Sequence, residues 1–196
     1  VSADDPLFAE ATAEAAAIDA RLDEMGGPSD GRIDAAALAG LAAKMLRGEG
    51  RIAAFSLGGY DTHRNQPFAI RKPLQQLAEA VTALREGLGP VWSRTTVMAV
   101  TEFGRTVREN GSRGTDHGTG GLMMFAGGAL SAARVHGRWP GLGEGDLYQS
   151  RDLMPTDDLR RHAGWLLRGL FGMERESLER DVFPGMELGE ATRVLA

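Results

Sequence analysis

The sequence predicts an α/β fold in which helices cover a parallel sheet. Two apolar runs, residues 51–57 and 95–100, carry no polar face of helical period and are typical of buried strands. A long amphipathic segment, residues 67–88, lies between them and predicts a helix. Alternation of strand, long helical crossover and strand indicates a layered sheet.

Further elements follow from composition and from the residues that start and stop helices. Residues 6–25 are rich in Ala, Glu and Leu, and Gly48 follows a second segment of helical composition. Thr156 is the predicted N-cap of the last long helix. In addition to the elements above, the sequence predicts helices at 6–25, 34–47 and 157–171, strands at 122–126 and 133–136, and a short helix in the tail.

We interpret the 196 residues as one α/β domain with three parts. Residues 1–50 form a helical lead-in, residues 51–171 form the core that carries the candidate site, and residues 172–196 form a carboxyl-terminal tail. The chain begins at Val1 with no charged-then-apolar leader, which fits either a removed signal or a fragment.

Composition excludes several classes of function. A net charge of -5 argues against a broad nucleic-acid-binding surface, and no apolar run approaches the roughly 20 residues that a membrane helix needs. The absence of cysteine excludes disulfides, thiolate metal ligands and cysteine nucleophiles. It fits an exported protein as well as a cytosolic one.

The first candidate site motif follows the apolar run at 51–57. Asp61 and His63 are two residues apart, so in an extended backbone their side chains point the same way and can reach one ion. Carboxylate and imidazole together are common ligands of zinc and other divalent transition metals. The alternative is a turn aspartate beside a solvated histidine.

The second motif lies in a glycine-rich loop. Asp116 and His117 are adjacent, and Gly114 and Gly118 on either side allow close approach of the backbone to a ligand. The alternative is a polar turn. Because the carboxyl ends of the strands form the ligand-binding edge of an open α/β sheet, two Asp/His pairs there predict a site for one or two divalent ions.

Two charged residues at the end of the second predicted strand are candidate catalytic groups. Glu102 is placed to bind a metal ion or to orient one of its ligands. Arg105 is placed to clamp an anionic oxygen with two parallel hydrogen bonds. A salt bridge between these two residues, or with neighbours, explains them equally well.

Other motifs are weaker. We interpret His136 mainly as a packing residue, although it is also the nearest candidate for a further ligand, and His162 as a surface or core-edge residue of the last long helix. The sequence contains no G-x-S-x-G nucleophile elbow and no phosphate-binding loop of the P-loop or dinucleotide type.

The order of these motifs resembles that of a known family. The strings GGYDTH, TEFGRT, NGSRGTDHG and HGRWPGL occur in sequence within residues 51–171. Together they resemble the bacterial domain-of-unknown-function 1501 family, which is sulfatase-like and belongs to the alkaline-phosphatase superfamily. The combination is specific, although each string alone is not.

The resemblance implies a three-layer α/β/α sandwich with a metal site at the carboxyl edge of its sheet. By resemblance, Asp61 and His63 bind one ion and Asp116 and His117 bind the other, with Zn or Mn as the expected metal. Members of the superfamily hydrolyse or transfer phosphate and sulfate esters, so a small-molecule or glycan ester is the implied substrate. An exported, periplasmic location is also implied, and a cytoplasmic one stays open.

The chain departs from the superfamily pattern in two ways. No segment before Arg51 matches the strand that carries the Ser or Thr nucleophile and a further metal-binding Asp, so the chain resembles the carboxyl-terminal half of a longer protein. The segment after Gly118 also lacks the histidines of some relatives. The rival hypothesis is therefore a non-catalytic, exported binding or scaffold domain that keeps the fold. A third is a purely structural domain.

Overall fold

A computed structural model describes residues 34–192, 194 and 195, and the helix predicted at 6–25 lies outside them. Helix α1 spans Ala35–Arg47. The Asp34 side chain caps it by accepting a hydrogen bond of 3.0 Å from the backbone N–H of Ala36, and Gly48 follows its last turn. The prediction of a helix at 34–47 is confirmed.

The long amphipathic segment forms two consecutive helices. Helix α2 spans Gln66–Ala69, Ile70 separates it from the next helix, and α3 spans Arg71–Leu88. A 3₁₀ turn at Gly89–Arg94 then leads towards the first strand. The helix predicted at 67–88 is thus confirmed over most of its length.

Helices α1 and α3 pack against each other and form the main apolar core of the described residues. Small side chains on α1 let the two helices approach closely, and a Cβ at Gly87 would lie 2.8 Å from the Ala43 methyl group. Leu88 is fully buried at the end of α3. The buried members of this core are Ala35, Ala39, Ala42, Ala43, Ala80, Leu84 and Leu88.

The strands are short and pair in antiparallel fashion. β1 (Val97–Ala99) pairs with β4 (Met124–Ala126), and β2 (Gly104–Arg105) pairs with β3 (His117–Gly118). The mixed α/β composition is confirmed, and so are strands within the runs at 95–100 and 122–126. The expected parallel pairing is wrong for these strands, because the chain turns back through a loop between β2 and β3 rather than crossing over.

The predicted strand at 51–57 is also wrong, because this segment has no regular secondary structure and pairs with no strand among the described residues. Ala53 and Leu57 pack against the α1–α3 core, whereas Ile52 is 68 % exposed. An apolar run indicates a tendency to burial, but it does not supply the neighbouring strand that a ladder requires.

The strand expected at 133–136 does not form, and Val135 is fully exposed there. Helix α4 spans Leu159–Phe171, so the predicted last helix is confirmed. Its N-cap is Asp158 instead of Thr156, because the Asp158 carboxylate accepts the backbone N–H of Arg160 at 2.9 Å.

The tail contains the expected short helical segment. It consists of α5 (Arg175–Ser177) and a π-helical turn at Leu178–Val182, and Leu178 is buried with Met186 and Leu188 in a second small core. In the part of the chain that the structure describes, none of the helices has the length and apolar character of a membrane span.

Candidate metal centre

Two loops meet at the candidate site. The first loop (residues 58–65) precedes α2, and the second loop (residues 106–116) joins β2 to β3. The backbone N–H of Asn65 donates to the Ser112 carbonyl at 3.0 Å, and that of Gln66 donates to the Arg113 carbonyl at 2.8 Å. These main-chain bonds hold the loops in a fixed register, although they lie about fifty residues apart in sequence.

Gly114 makes this close approach possible. A Cβ at this position would overlap the backbone carbonyl of His63, and one at Gly118 would overlap that of Arg105. We predicted close backbone approach at both glycines, with a ligand as the partner. The structure shows that the approach is to the protein's own backbone, which brings the side chains of the two loops together.

Asp61, His63 and His117 form one compact group. Asp61 Oδ1 lies 2.7 Å from His117 Nε2 and 2.8 Å from His63 Nε2. One potential ligand atom from each residue lies within 4.8 Å of those from the other two, which makes these residues a candidate metal-binding group among those described. The group takes members from both predicted pairs, so the two motifs interleave rather than forming two separate pairs.

Arg105 links the two loops beside the group of Asp61, His63 and His117. Its guanidinium donates to the backbone carbonyls of Thr115, at 2.7 Å, and Tyr60, and it lies 3.2 Å from Asp61 Oδ1. The side chain is only 20 % exposed. With these donors engaged by the protein, Arg105 acts as an internal brace for Asp61 rather than as the free anion clamp that the sequence suggested.

Phe103 supports His117 and was not predicted from the sequence. Its ring stacks on the His117 imidazole with centroids 3.9 Å apart and planes inclined by 14°. The Arg105 guanidinium also lies over the Phe103 ring, 5.0 Å from its centroid. The signal available in the sequence was the aromatic residue two positions before Arg105.

Asp116 lies on the other side of His63. Its Oδ1 is 3.2 Å from His63 Nδ1 and accepts a hydrogen bond of 2.9 Å from the Asn110 side-chain amide. The same amide nitrogen donates to the His63 carbonyl at 3.1 Å. Asn110 therefore contacts both Asp116, which holds the His63 ring, and the backbone carbonyl of His63 itself.

The other predicted residues lie apart from this group. Glu102 is exposed and does not belong to the candidate metal-binding group. His162 Nε2 lies 3.3 Å from Asp157 on α4, and the ring centroid of His136 lies 6.5 Å from that of His162. His136 and His162 are thus near each other, and neither is in the candidate metal-binding group.

Both aspartates of the site are held in the ionised form. The hydrogen bond with His117 is the main cause that lowers the pKa of Asp61, and the charges of His63 and Arg105 add to it. The hydrogen bond from Asn110, followed by that from His63, lowers the pKa of Asp116. Each carboxylate is therefore anionic near neutral pH, which is the form that binds a cation.

The donor set of Asp61, His63 and His117 fits a divalent transition metal. Zinc bonds to nitrogen and oxygen of about 2.0–2.1 Å at tetrahedral angles place ligand atoms roughly 3.3 Å apart. The contacts of 2.7 and 2.8 Å that Asp61 Oδ1 makes with the two imidazoles are shorter, so Asp61 must move back by about half an ångström to admit an ion. The Asp61 side chain is 56 % exposed, which leaves room for this movement.

A small cavity of about 190 Å³ adjoins the site on the Asp116 side. Arg151 lines it and also donates to the His117 carbonyl at 2.9 Å. The cavity is open to solvent, and the side chains that line it are polar or charged. Its lining residues are Thr106, Arg108, Glu109, Asn110, Asp116, Ser150 and Arg151.

Comparison with known protein families places most of the chain in one of them. The family described as "Protein of unknown function (DUF1501)" matches residues 8–172. No curated protein and no solved structure matches the chain. The matched range includes both loops of the candidate metal centre.

Proposed function

This chain is a member of the DUF1501 family, and we propose that it is a metal-dependent hydrolase of phosphate or sulfate esters. The observation that carries the proposal is the meeting of Asp61, His63 and His117 at one exposed point. Catalytic zinc sites commonly use three protein ligands and keep a further position open for water or substrate. One carboxylate and two imidazoles in an exposed group fit that requirement.

The side chains around the group have separate tasks in this proposal. Asp61 supplies the negative charge, and His63 and His117 supply neutral nitrogen ligands. Arg105 holds Asp61, and Phe103 fixes the plane of the His117 ring. When bound, a divalent ion such as Zn or Mn lowers the pKa of a coordinated water and polarises an ester oxygen.

The geometry favours one ion over two. Asp116 and His117 were expected to share an ion, but the Asp116 carboxylate faces His63 Nδ1 whereas His117 faces Asp61. We keep as parts of the proposal the alkaline-phosphatase superfamily relationship, its three-layer sandwich, the match to a carboxyl-terminal half, and an exported location. The proposed substrate is a small-molecule or glycan ester.

A second candidate function is a non-catalytic binding or scaffold domain. It is favoured by the openness of the site, where the side chains of Asp61, His63 and His117 are 56 %, 42 % and 50 % exposed. Efficient ester hydrolysis benefits from exclusion of water, which strengthens electrostatic interactions with the reacting groups. An open site binds an ion or ligand without providing that environment.

Metal content and ester hydrolysis distinguish the two functions. We would measure zinc and manganese by plasma mass spectrometry in the full chain and in its Asp61→Ala and Ser112→Ala variants. Ser112 lies in the second loop, is exposed and contributes only backbone groups to the contacts between the loops, so Ser112→Ala is the matched control. We expect near-stoichiometric metal in the wild type and the control, and its loss in Asp61→Ala.

The metal-loaded proteins would then be assayed with p-nitrophenyl phosphate and p-nitrophenyl sulfate. Turnover that disappears in Asp61→Ala supports the hydrolase. Metal binding without turnover of either ester favours the binding domain. Absence of bound metal, even after incubation with zinc or manganese, contradicts the metal site itself.

A further inference from the structure

We infer that Asn110 is a positioning residue for the metal centre and acts through Asp116 on the ring of His63. Asn110 Nδ2 donates to Asp116 Oδ1 at 2.9 Å, and that oxygen lies 3.2 Å from His63 Nδ1. This inference rests on the proposed function, because it concerns how His63 is presented to an ion. It also assigns Asp116 the role of orienting a ligand rather than that of binding metal.

The two contacts of the His63 ring differ in kind. The contact between His63 Nδ1 and Asp116 Oδ1 has the alignment of a hydrogen bond, whereas Asp61 Oδ1 lies 2.8 Å from Nε2 without that alignment. In the inferred arrangement the neutral ring carries its proton on Nδ1, where Asp116 accepts it, and keeps the Nε2 lone pair for a metal ion. A carboxylate that accepts the second N–H of a metal-binding histidine fixes its tautomer and ring orientation in this way.

Asp116 is poorly placed to bind the same ion. The two ring nitrogens of imidazole point in different directions, so a carboxylate aligned with Nδ1 lies on the far side of the ring from an ion on Nε2. Asp61 and His117, by contrast, approach from the Nε2 side. The sequence pairs Asp116 with His117, but the structure directs the two side chains to different partners.

Asn110 is held so that its amide group faces Asp116. Its Oδ1 accepts the backbone N–H groups of Ser112, at 2.9 Å, and Gly114, at 3.1 Å. These bonds fix which end of the amide is the donor, and the donor nitrogen faces Asp116 and the His63 carbonyl. The Asn110 side chain thus closes the second loop and positions His63 of the first loop.

The Asn110→Asp variant separates the two tasks of this residue. An aspartate keeps an oxygen that accepts the Ser112 and Gly114 N–H groups, but it replaces the amide donor with an acceptor that repels Asp116. The second loop keeps its own turn, whereas the hold on Asp116 and on the His63 carbonyl is lost. Ser112→Ala, in the same loop, is again the matched control.

The first readout is the tautomer of His63 in the metal-free full chain, followed by ¹⁵N NMR of the histidine ring nitrogens above pH 8. We expect the Nδ1–H tautomer in the wild type and in Ser112→Ala, and a shift towards Nε2–H in Asn110→Asp. An Nε2–H tautomer in the wild type, or an unchanged tautomer in Asn110→Asp, would overturn the inference. This result does not depend on metal binding or on turnover.

The second readout is zinc affinity, measured by competition with a chromophoric chelator. We expect Asn110→Asp to weaken binding by about 10–100-fold, as for other residues that orient a metal ligand. Because Asn110 acts through Asp116, adding Asn110→Asp to Asp116→Ala should cause little further loss. Additive losses contradict the inference, and so does a loss in Asp116→Ala as complete as that in Asp61→Ala, since it would make Asp116 a direct ligand.

The experiments distinguish failure of the hydrolase proposal from failure of the positioning role of Asn110. Zinc binding with the expected coupling but without ester turnover refutes the hydrolase and supports the positioning role of Asn110. A wild-type chain that binds no zinc refutes the metal site, and the tautomer of His63 then decides whether Asn110 positions this ring.

Discussion

The α1–α3 pair and the candidate metal centre are built from opposite kinds of interaction. The helix pair buries small and branched apolar side chains, and Leu88 at its end is fully inaccessible to solvent. The metal centre leaves its candidate ligands about half exposed and is held by backbone hydrogen bonds, the Arg105 brace and the Asn110 amide. Stability should therefore depend mainly on the first region, and metal binding on the second.

The largest effect on stability is expected from Leu88→Ala. Removing a fully buried leucine side chain leaves a cavity between the helices and should lower the free energy of unfolding by about 2–5 kcal/mol. Urea unfolding of the metal-free chain measures this change. The zinc affinity of the remaining folded protein should stay near the wild-type value.

Leu74→Ala is the matched control for this prediction. Leu74 lies on the same helix but is 52 % exposed, so its truncation should cost well under half as much. Equal destabilisation by the two variants, or a large loss of zinc affinity in Leu88→Ala, would contradict the separation between core and site.

Gly114→Ala tests the complementary expectation, namely that a change where the two loops meet affects metal binding more than stability. The added methyl group would overlap the His63 carbonyl and push the two loops apart, so the candidate ligands would no longer converge. We expect zinc affinity to fall by about 10–100-fold, or roughly 1.4–2.7 kcal/mol, with a smaller loss of stability than in Leu88→Ala. Chelator competition and urea unfolding measure the two quantities.

Gly111→Ala provides the control within the same loop. A Cβ at Gly111 meets no atom within 4 Å, and its backbone does not adopt a positive φ. This variant should bind zinc like the wild type. If Gly114→Ala also did so, contact between the loops would not be a requirement of the metal site.

The helix pair is the part of the fold that local sequence pattern predicts best. Helix formation depends on residues within a few positions of one another, so the apolar period of 67–88 and the glycine that follows 34–47 are sufficient signals. Strand pairing depends on a partner elsewhere in the chain. The apolar run at 51–57 therefore predicted a strand that the structure does not contain.

The residue types of the site could be predicted from the sequence, but their arrangement in space could not. Asp61 and His63 are in contact, as their spacing of two residues suggested, but the backbone turns between them, with the His63 N–H donating to the Asp61 carbonyl. Their partners depend on the β2–β3 register, which sets Arg105 opposite His117, and on hydrogen bonds between distant loops. Sequence also shows the charge of Arg105 without showing that backbone carbonyls occupy its donors.

The smallest expected effect concerns Asp158, a polar group that acts locally rather than between loops. Its carboxylate caps α4, so Asp158→Ala should cost about 1 kcal/mol of stability near pH 7, less than Leu88→Ala. Asp158→Asn should keep most of the cap, because asparagine is also a good N-cap, and lose only the ion pair with Arg160. Urea unfolding of both variants at neutral pH measures this difference.

The pH dependence of stability in these variants identifies the part of the Asp158 contribution that comes from its charge. The hydrogen bond from the Arg160 side chain is the main cause that holds the pKa of Asp158 below its ordinary value of 3.8. The ion pair therefore stabilises the fold above about pH 3.8 and is lost as the pH falls through the lower folded-state pKa. The stability difference between wild type and Asp158→Asn should vanish at low pH, and its persistence there would show that the neutral cap geometry, rather than the charge, distinguishes the two side chains.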